Sequence, residues 1–498
     1  MSPAPRPPTI SGSDRPNRAG AAPSVLSDPG ETVLARLGLR FTAWAEKWFP
    51  DAYVFAALAV VVVAVAAMVN GAPVMSVAKA FGDGFWSLIV FSLQMVLVAV
   101  GGYVVATSPL ASRAIERIAT LPSTGRGAVA MVALISMVLS LFNWGISMIG
   151  SALIVRALAR RGDLRMDYRA AGAAAYLGIG AVWALGLRSA AAQLQAKAGS
   201  LPKSVYAITG VIPFSDTIFL WQSMAMAGVL IVVSTAIALW SAPGDKSAVT
   251  ARDLGIDLAE TVSAPPAHDK RRPGEWLEQS PLITLLVCAL GFAWLFQEFT
   301  AKDPIVAISN LNTYNLLFLM LGMLLHWRPR SFLDAAYRSV PATASVIIQF
   351  PLYGSVAAIM TMAKGVGGIS LSDRVANAFV SISNVDTFAV VMGAYSAVLG
   401  FFIPSGGGKW IIEAPYVMKA ANELKVHLGW AVQVYNAAEA LPNLINPFWM
   451  LPILGVLGLK GRDIIGFTFL QLLVHLPLVL FMLWALGRTL TYVAPNFL

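Results

Sequence analysis

Phe401-Phe402-Ile403-Pro404-Ser405-Gly406-Gly407-Gly408-Lys409-Trp410 lies deep in apolar sequence, far from any ordinary loop. A plain membrane helix has no use for it. Pro404 removes a backbone donor, and three consecutive glycines leave the chain conformationally loose. A lipid-facing segment could not tolerate that break, because every backbone polar group in hydrocarbon needs a partner. The break is allowed where it packs inside protein or lines a wet cavity. Freed N–H groups at the helix start can then face an anion, and Lys409 adds a positive charge beside them. The stretch therefore reads as the tip of a re-entrant hairpin at a binding site near the midplane. A glycine-rich loop at the membrane surface fits less well, because apolar sequence flanks the motif on both sides.

Working outward, the whole chain has this character. It has 498 residues, 57% of them hydrophobic and only 12% charged. That composition belongs to polytopic membrane proteins. A net charge of +9 would suggest nucleic acid in a soluble protein. Here it reads as positive-inside bias, and no nucleic-acid partner is expected. Cys288 is the single cysteine, so no internal disulfide can form. His268, His326, His427 and His475 are far apart and show no metal-ligand spacing, so neither a metal nor a cofactor is expected.

Residues 1–49 read as a disordered tail, without a removable signal peptide, leading into an interfacial helix. Leu34, Leu37, Phe41, Trp44 and Trp48 recur there at helical spacing. Nine spans follow, at 53–69, 85–106, 170–195, 218–240, 281–298, 313–326, 341–362, 428–456 and 464–487. Two further apolar stretches do not read as simple spans. One is 127–160, broken at Asn143-Trp144-Gly145, and the other is 387–421, broken at Pro404–Lys409. Each follows a short amphipathic segment (112–121 and 373–383) and precedes a span interrupted by small or polar residues. The organisation repeats: a first repeat with hairpin at 50–241, a cytoplasmic linker at 242–279, a joining span at 280–312 and a second repeat at 313–493. An odd number of crossings per repeat plus joiner inverts the second copy, which is the plan of alternating-access transporters.

Charge agrees with a cytoplasmic N-terminus and an outside C-terminus. The segments this places inside hold 24 of the 35 lysines and arginines, and those outside hold nine. The bias survives removal of the remote tail arginines Arg6, Arg15 and Arg18. Charge does not separate a hairpin from two full crossings, since both leave the parity unchanged.

Polar residues inside spans are costly and usually face the protein interior. Candidate substrate-binding residues are Asn143, Trp144 and Gly145 at the first tip, and Ser405, Gly406, Gly407, Gly408 and Lys409 at the second. Arg188 and Ser189, in the Gly-rich span 170–195, join them. Candidates for a coupling ion or proton are Glu439, Asn436, Asn443 and Asn446, on a span that Pro442 and Pro447 should interrupt. Glu439 suits a proton or offsets Lys409. Competing readings are interhelical hydrogen bonding for the amides, an ion-pair role for Glu439, and snorkelling to the outer surface for Arg188. Asp216-Thr217 and Asp386-Thr387 each precede an apolar helix and read as N-caps.

At these residues the chain resembles the bacterial short-chain fatty acid transporter family (the AtoE type). The resemblance rests on Asn143-Trp144-Gly145, on Pro404 to Trp410, and on Glu439…Asn443…Pro447-Phe448-Trp449. Gly82-Asp83-Gly84-Phe85-Trp86 and Gly210-Val211-Ile212-Pro213…Asp216-Thr217 add to it. It covers roughly 45–490. It implies an inner-membrane carrier of short monocarboxylates such as butyrate or acetoacetate, not an enzyme. It also implies kinship with the ion-transporter superfamily, whose members have paired hairpins and form homodimers. In one place the chain departs from the family, which tends to a Gly/Ser-rich stretch where Trp183-Ala184-Leu185-Gly186-Leu187-Arg188-Ser189 stands. Arg188 there makes a hydroxy-, keto- or dicarboxylate the alternative substrate.

The expectation is thus an all-α polytopic membrane protein with nine spans and two hairpins in inverted repeats. It would carry a small carboxylate by alternating access, in symport with H⁺ or Na⁺. A membrane-embedded enzyme is disfavoured because no nucleophile–base constellation is visible. A passive channel would differ in lacking saturable counterflow.

Overall fold

The computed structural model describes residues 31–196, 201, 203–258, 273–302, 304, 307, 310–495 and 497. The expected disordered tail at 1–30 and most of the linker's second half fall outside them. The helices are α1 (Val33–Trp48), α2 (Ala52–Val69), α3 (Val74–Ser87), α4 (Ile89–Ala106), α5 (Pro109–Ala119), α6 (Gly125–Phe142) and α7 (Trp144–Arg160). They continue as α8 (Tyr168–Leu177), α9 (Ala190–Gln195), α10 (Lys203–Thr209), α11 (Trp221–Ser241), α12 (Pro273–Gln279), α13 (Pro281–Ala301) and α14 (Leu311–His326). The last eight are α15 (Pro329–Ser339), α16 (Ala344–Met362), α17 (Leu371–Ser381), α18 (Phe388–Phe402), α19 (Gly406–Glu423), α20 (Leu428–Asn443), α21 (Leu451–Leu457) and α22 (Gly461–Gly487).

The molecule is an all-helical polytopic membrane protein. Among the described residues, seven helices are long and apolar enough to cross a membrane, and Leu311–His326, Val346–Met362 and Phe388–Phe402 are shorter apolar helices. Six of the seven fall on expected spans. The seventh is α6, the first arm of the first hairpin. The expected spans 313–326 and 341–362 are the shorter helices. The expected span 428–456 is absent from the seven because the chain breaks after Asn443 and leaves α20 only 16 residues long; Gln433, Asn436, Glu439 and Asn443 on it are all buried. Burial sorts the layers. The 168–195 segment has 94% of its most apolar window enclosed by protein, against 17% for α2 and for α13. Val54, Leu58, Val61 and Val65 on α2, and Leu282, Leu286, Leu290 and Phe296 on α13, point outward. An apolar surface of that extent belongs against lipid.

Both predicted breaks turn the chain back on itself. Ser147 Oγ donates to Ser136 O at 2.7 Å, although those residues would lie about 16 Å apart in a continuous helix. Lys409 Nζ donates to Ser396 O at 3.0 Å, where a continuous helix would separate the residues by about 20 Å. The element order also recurs. Helices α4 and α5, the pair α6–α7, the broken α8–α9 and the long α11 have counterparts in α16, α17, α18–α19, α20–α21 and α22.

Helix α1 packs by the face opposite its aromatic stripe. Ala35, Gly38, Leu39, Thr42 and Ala45 are buried, with Gly38 against Phe467 and Thr42 against Gly466 of α22. Trp44 and Trp48 stay 58% and 65% exposed. The small residues let α1 approach α22 closely, which leaves the indoles for the lipid interface.

The two proposed aspartate–threonine caps are not made. Helix α11 starts at Trp221 after Leu220, which forms no side-chain cap. A tight turn over Phe214–Asp216 instead occupies the residues before it. At α18 the cap is replaced by an Asn384 turn, whose Oδ1 accepts from the Asp386 and Thr387 N–H groups at 3.0 Å each. Asp386 is thereby left to pair with Arg488 at 3.1 Å.

Candidate functional site

The second tip is built from local chemistry. Ser405 is extended (φ −142°, ψ 103°), and its Oγ caps α19 by accepting from Gly408 N–H at 3.2 Å. Lys409 is then in the first turn of the helix, and Glu413 lies one turn further on the same face. Lys409 Nζ reaches Glu413 Oε1 at 2.9 Å, Ser396 Oγ at 2.7 Å and Glu439 Oε2 of α20 at 2.7 Å. Its ammonium also sits 4.2 Å from the ring centre of Tyr435. Lys409 and Glu413 are 0% exposed and Glu439 is 1%. One ammonium thus serves two carboxylates in a fully enclosed space. Among the described residues, Glu413 Oε2 and both Glu439 oxygens have no hydrogen-bond partner, the Glu439 contact to Lys409 being an ion pair.

The first tip is tied down by its own cap. Asn143 Oδ1 accepts from the Gly145 and Ile146 N–H groups at 2.9 and 3.1 Å. Beside it the central span unwinds. After α8 come a π-type turn at Gly178–Val182 and a 3₁₀ turn at Trp183–Leu185, and the chain is then extended at Gly186. The hairpin stitches this stretch. Gly178 N–H donates to Ser136 Oγ at 3.0 Å and Leu187 N–H to Leu141 O at 2.8 Å. Gly186 lies on the Leu141 backbone, where a side chain would not fit.

The opposite break follows from its prolines. Pro447 has no N–H to give the Asn443 carbonyl four residues earlier. Tyr176 Oη of α8 donates to that carbonyl instead, at 2.9 Å. Asn446 joins the break to the second hairpin, donating to Phe401 O at 2.6 Å and accepting from Phe448 N–H at 2.9 Å.

Between these four irregular segments lies a small, partly open cleft lined by Trp144, Ile179, Trp183 and Trp449. The Trp144 and Trp449 rings are 5.6 Å apart, edge to face. Trp183 and Trp449 bury their indole N–H groups without a partner among the described residues. Gly406 packs against Trp183, so the second tip closes one side of the pocket.

The sequence-predicted residues divide accordingly. Trp144 lines the pocket, and Gly406 touches it through Trp183. Gly145 faces the Tyr314 hydroxyl, 2.9 Å from where its Cβ would be. Arg188, 7% exposed, is inside the protein rather than snorkelled outward, within electrostatic reach of Tyr314. Ser189 caps α9 and donates to Asn436 Oδ1 at 2.9 Å, and Asn436 donates on to Gln433 Oε1 at 3.1 Å. Both polar ends of the buried Asn443 amide lack partners. Gly407 is half-buried and Gly408 exposed. Lys409 faces Glu413 and Glu439 instead of the pocket. Sequence reasoning missed Glu413, Ser396, Tyr435, Ile179 and Tyr314. Glu413 had a visible signal, a carboxylate one helical turn beyond an intramembrane lysine.

Residues 33–486 match the family model for short chain fatty acid transporters. An Escherichia coli (strain K12) protein named "Putative short-chain fatty acid transporter" is 32% identical over 442 residues, covering 89% of this chain and 97% of that one. A Haemophilus influenzae protein of the same name is 29% identical over 467 residues, covering 91% and 100%. Two solved structures align at low similarity. The Alcanivorax borkumensis YdaH transporter shows 15% identity and a TM-score of 0.40, covering 88% of this chain and 98% of that one. Neisseria gonorrhoeae MtrF shows 14% identity and a TM-score of 0.41, covering 91% and 98%.

Proposed function

The chain belongs to the short-chain fatty acid transporter family, and from that premise we propose that it carries short monocarboxylates such as butyrate across the bacterial inner membrane by alternating access. The pocket between both tips and both broken helices is the observation that carries this reading. Its lining is aromatic and apolar, which suits a short aliphatic chain, and two of the indoles that wall it, Trp183 and Trp449, keep N–H groups unpartnered among the described residues. Of the candidate residues, Trp144 lines the pocket, Gly145 adjoins it in the chain at the first tip, and Gly406 of the second tip reaches it through Trp183. Arg188 supplies a positive charge within electrostatic reach of Tyr314, which faces Gly145. Lys409, committed to two carboxylates, belongs to coupling rather than to the substrate headgroup.

The recurring element order supports an inverted repeat, in which each hairpin leans on the unwound helix of its own half. Alternate loading of the basic residues supports a cytoplasmic N-terminus and an outside C-terminus. Alternating access would then move the hairpins against a scaffold that includes α2, α4, α14 and α16. Uptake of labelled butyrate into vesicles holding the purified protein, with competing acids, tests the reading.

A further inference from the structure

Glu413 has no part in the substrate reading, yet it is as deeply buried as any residue in the protein. It shares one ammonium with Glu439. Were both carboxylates ionised, the enclosed cluster would hold one unbalanced negative charge, which a low-dielectric interior opposes strongly. Glu413 Oε2 and both Glu439 oxygens are buried without a hydrogen-bond partner among the described residues, Glu439 Oε2 meeting Lys409 only as an ion pair. One proton on either carboxylate balances the charge and turns that oxygen from an unpartnered acceptor into an O–H donor. A sodium ion suits the same space poorly. Hard cations need several oxygen ligands, and Lys409 Nζ already stands 2.9 and 2.7 Å from the two carboxylates, its charge opposing a second cation.

We propose that Glu413 and Glu439 share a single transported proton, with Lys409 as the fixed counter-charge, so that this carrier moves a carboxylate anion and a proton together. The proton adds to one carboxylate when the cluster opens to one side and leaves from it when the cluster opens to the other. The cargo of one anion and one proton is neutral. The other ionisable groups near the cluster are few. Tyr435 of α20 donates to Gly406 O at 2.5 Å, and Tyr395 of α18 lies next to Glu413. Further out, Tyr416 donates to Asp373 of α17 at 2.5 Å and Arg374 binds Asn70. Tyr206 of α10 meets Phe497 edge to face, and His475 of α22 faces Ser234 at 2.7 Å. The pocket and the cluster are in physical contact: Trp183 packs on Gly406, whose carbonyl holds Tyr435, whose ring lies under the Lys409 ammonium.

The proposal rests on the carboxylate-carrier reading, and its test separates the two. Purified protein in liposomes would be assayed for labelled-for-unlabelled butyrate exchange at equal pH. Accumulation would then be driven by an inward proton gradient or by an inward sodium gradient, with protein-free liposomes subtracted. In Glu413→Gln and Glu439→Gln, proton-driven accumulation is expected to fall at least about tenfold while exchange stays within about threefold. Sodium is expected to drive nothing in the wild type. Infrared spectra of the wild type at neutral pH should show a protonated carboxyl stretch that one of the two variants removes, a readout that survives if a variant transports poorly. Unchanged proton-driven accumulation in both variants, sodium-driven accumulation in the wild type, or absence of that carboxyl stretch overturns the proposal. Absence of exchange in the wild type would instead overturn the butyrate reading, with the infrared result still deciding the proton site.

Discussion

A Cβ added to Gly406 would lie 2.5 Å from Trp183 Cη2. The first glycine of the second tip and the tryptophan of the unwound central span are therefore in direct contact, and there is no room there for a methyl group. One residue later, the same atom on Gly407 would meet Ala190 Cβ and Leu194 Cδ1 at ordinary distances of 3.5 and 4.0 Å. Gly406→Ala should therefore displace the tip or the indole and cut butyrate uptake at least about tenfold, with an overpacking loss of about 1–3 kcal/mol. Gly407→Ala should transport almost normally. Paired uptake and thermal-unfolding measurements on the two variants check this contrast.

The pocket should set chain length. Trp144→Ala and Trp183→Ala remove one wall each, which favours acids longer than butyrate. A methylene's worth of apolar contact changes discrimination by about 10–200-fold. Competition assays should show hexanoate gaining on butyrate as inhibitor in both variants, and KM for butyrate rising more than kcat falls.

Asp373 lies at the start of α17, outside the spans, and closes a capping box with Ser370. Partial burial by itself pushes its carboxyl up. Hydrogen bonds from Tyr416, Ser370 and Lys364 outweigh that and hold it well below its ordinary value of 3.8. A carboxyl held low stabilises the folded state at every pH above the unfolded value, and the contribution is lost only as pH falls through the folded value, in strong acid. The pH dependence of uptake between about pH 5 and 8 should therefore be the same in Asp373→Asn as in the wild type. The variant should lose about 0.5–2 kcal/mol through its weakened cap, read as a lower Tm in detergent.

The two chain reversals were legible because proline and glycine in an apolar run contradict a continuous membrane helix, and Asn143 and Pro404 mark the observed breaks. The polar face of α20 was legible for a related reason, since Glu439 and its neighbouring amides have no place against lipid. Partners were harder to read. Glu413 and Glu439 are separated by a hairpin arm and a loop, and only the fold shows that both reach Lys409. Trp183, Ile179 and Tyr314 look like ordinary span residues until the unwound helix turns the first two toward a pocket and the tip brings Gly145 to the third. The caps failed to read because Asn384, one turn earlier than the aspartate–threonine pair, offers the backbone the better acceptor.

The most direct test of the account is protein-dependent uptake of labelled butyrate by reconstituted vesicles, challenged with unlabelled mono-, hydroxy- and dicarboxylates. The account predicts saturable uptake above the leak of protein-free vesicles, inhibited by short monocarboxylates and weakened by loss of Trp183. No protein-dependent butyrate uptake, with a dicarboxylate or hydroxy acid carried in its place, would contradict it and make Arg188 the residue that decides the substrate.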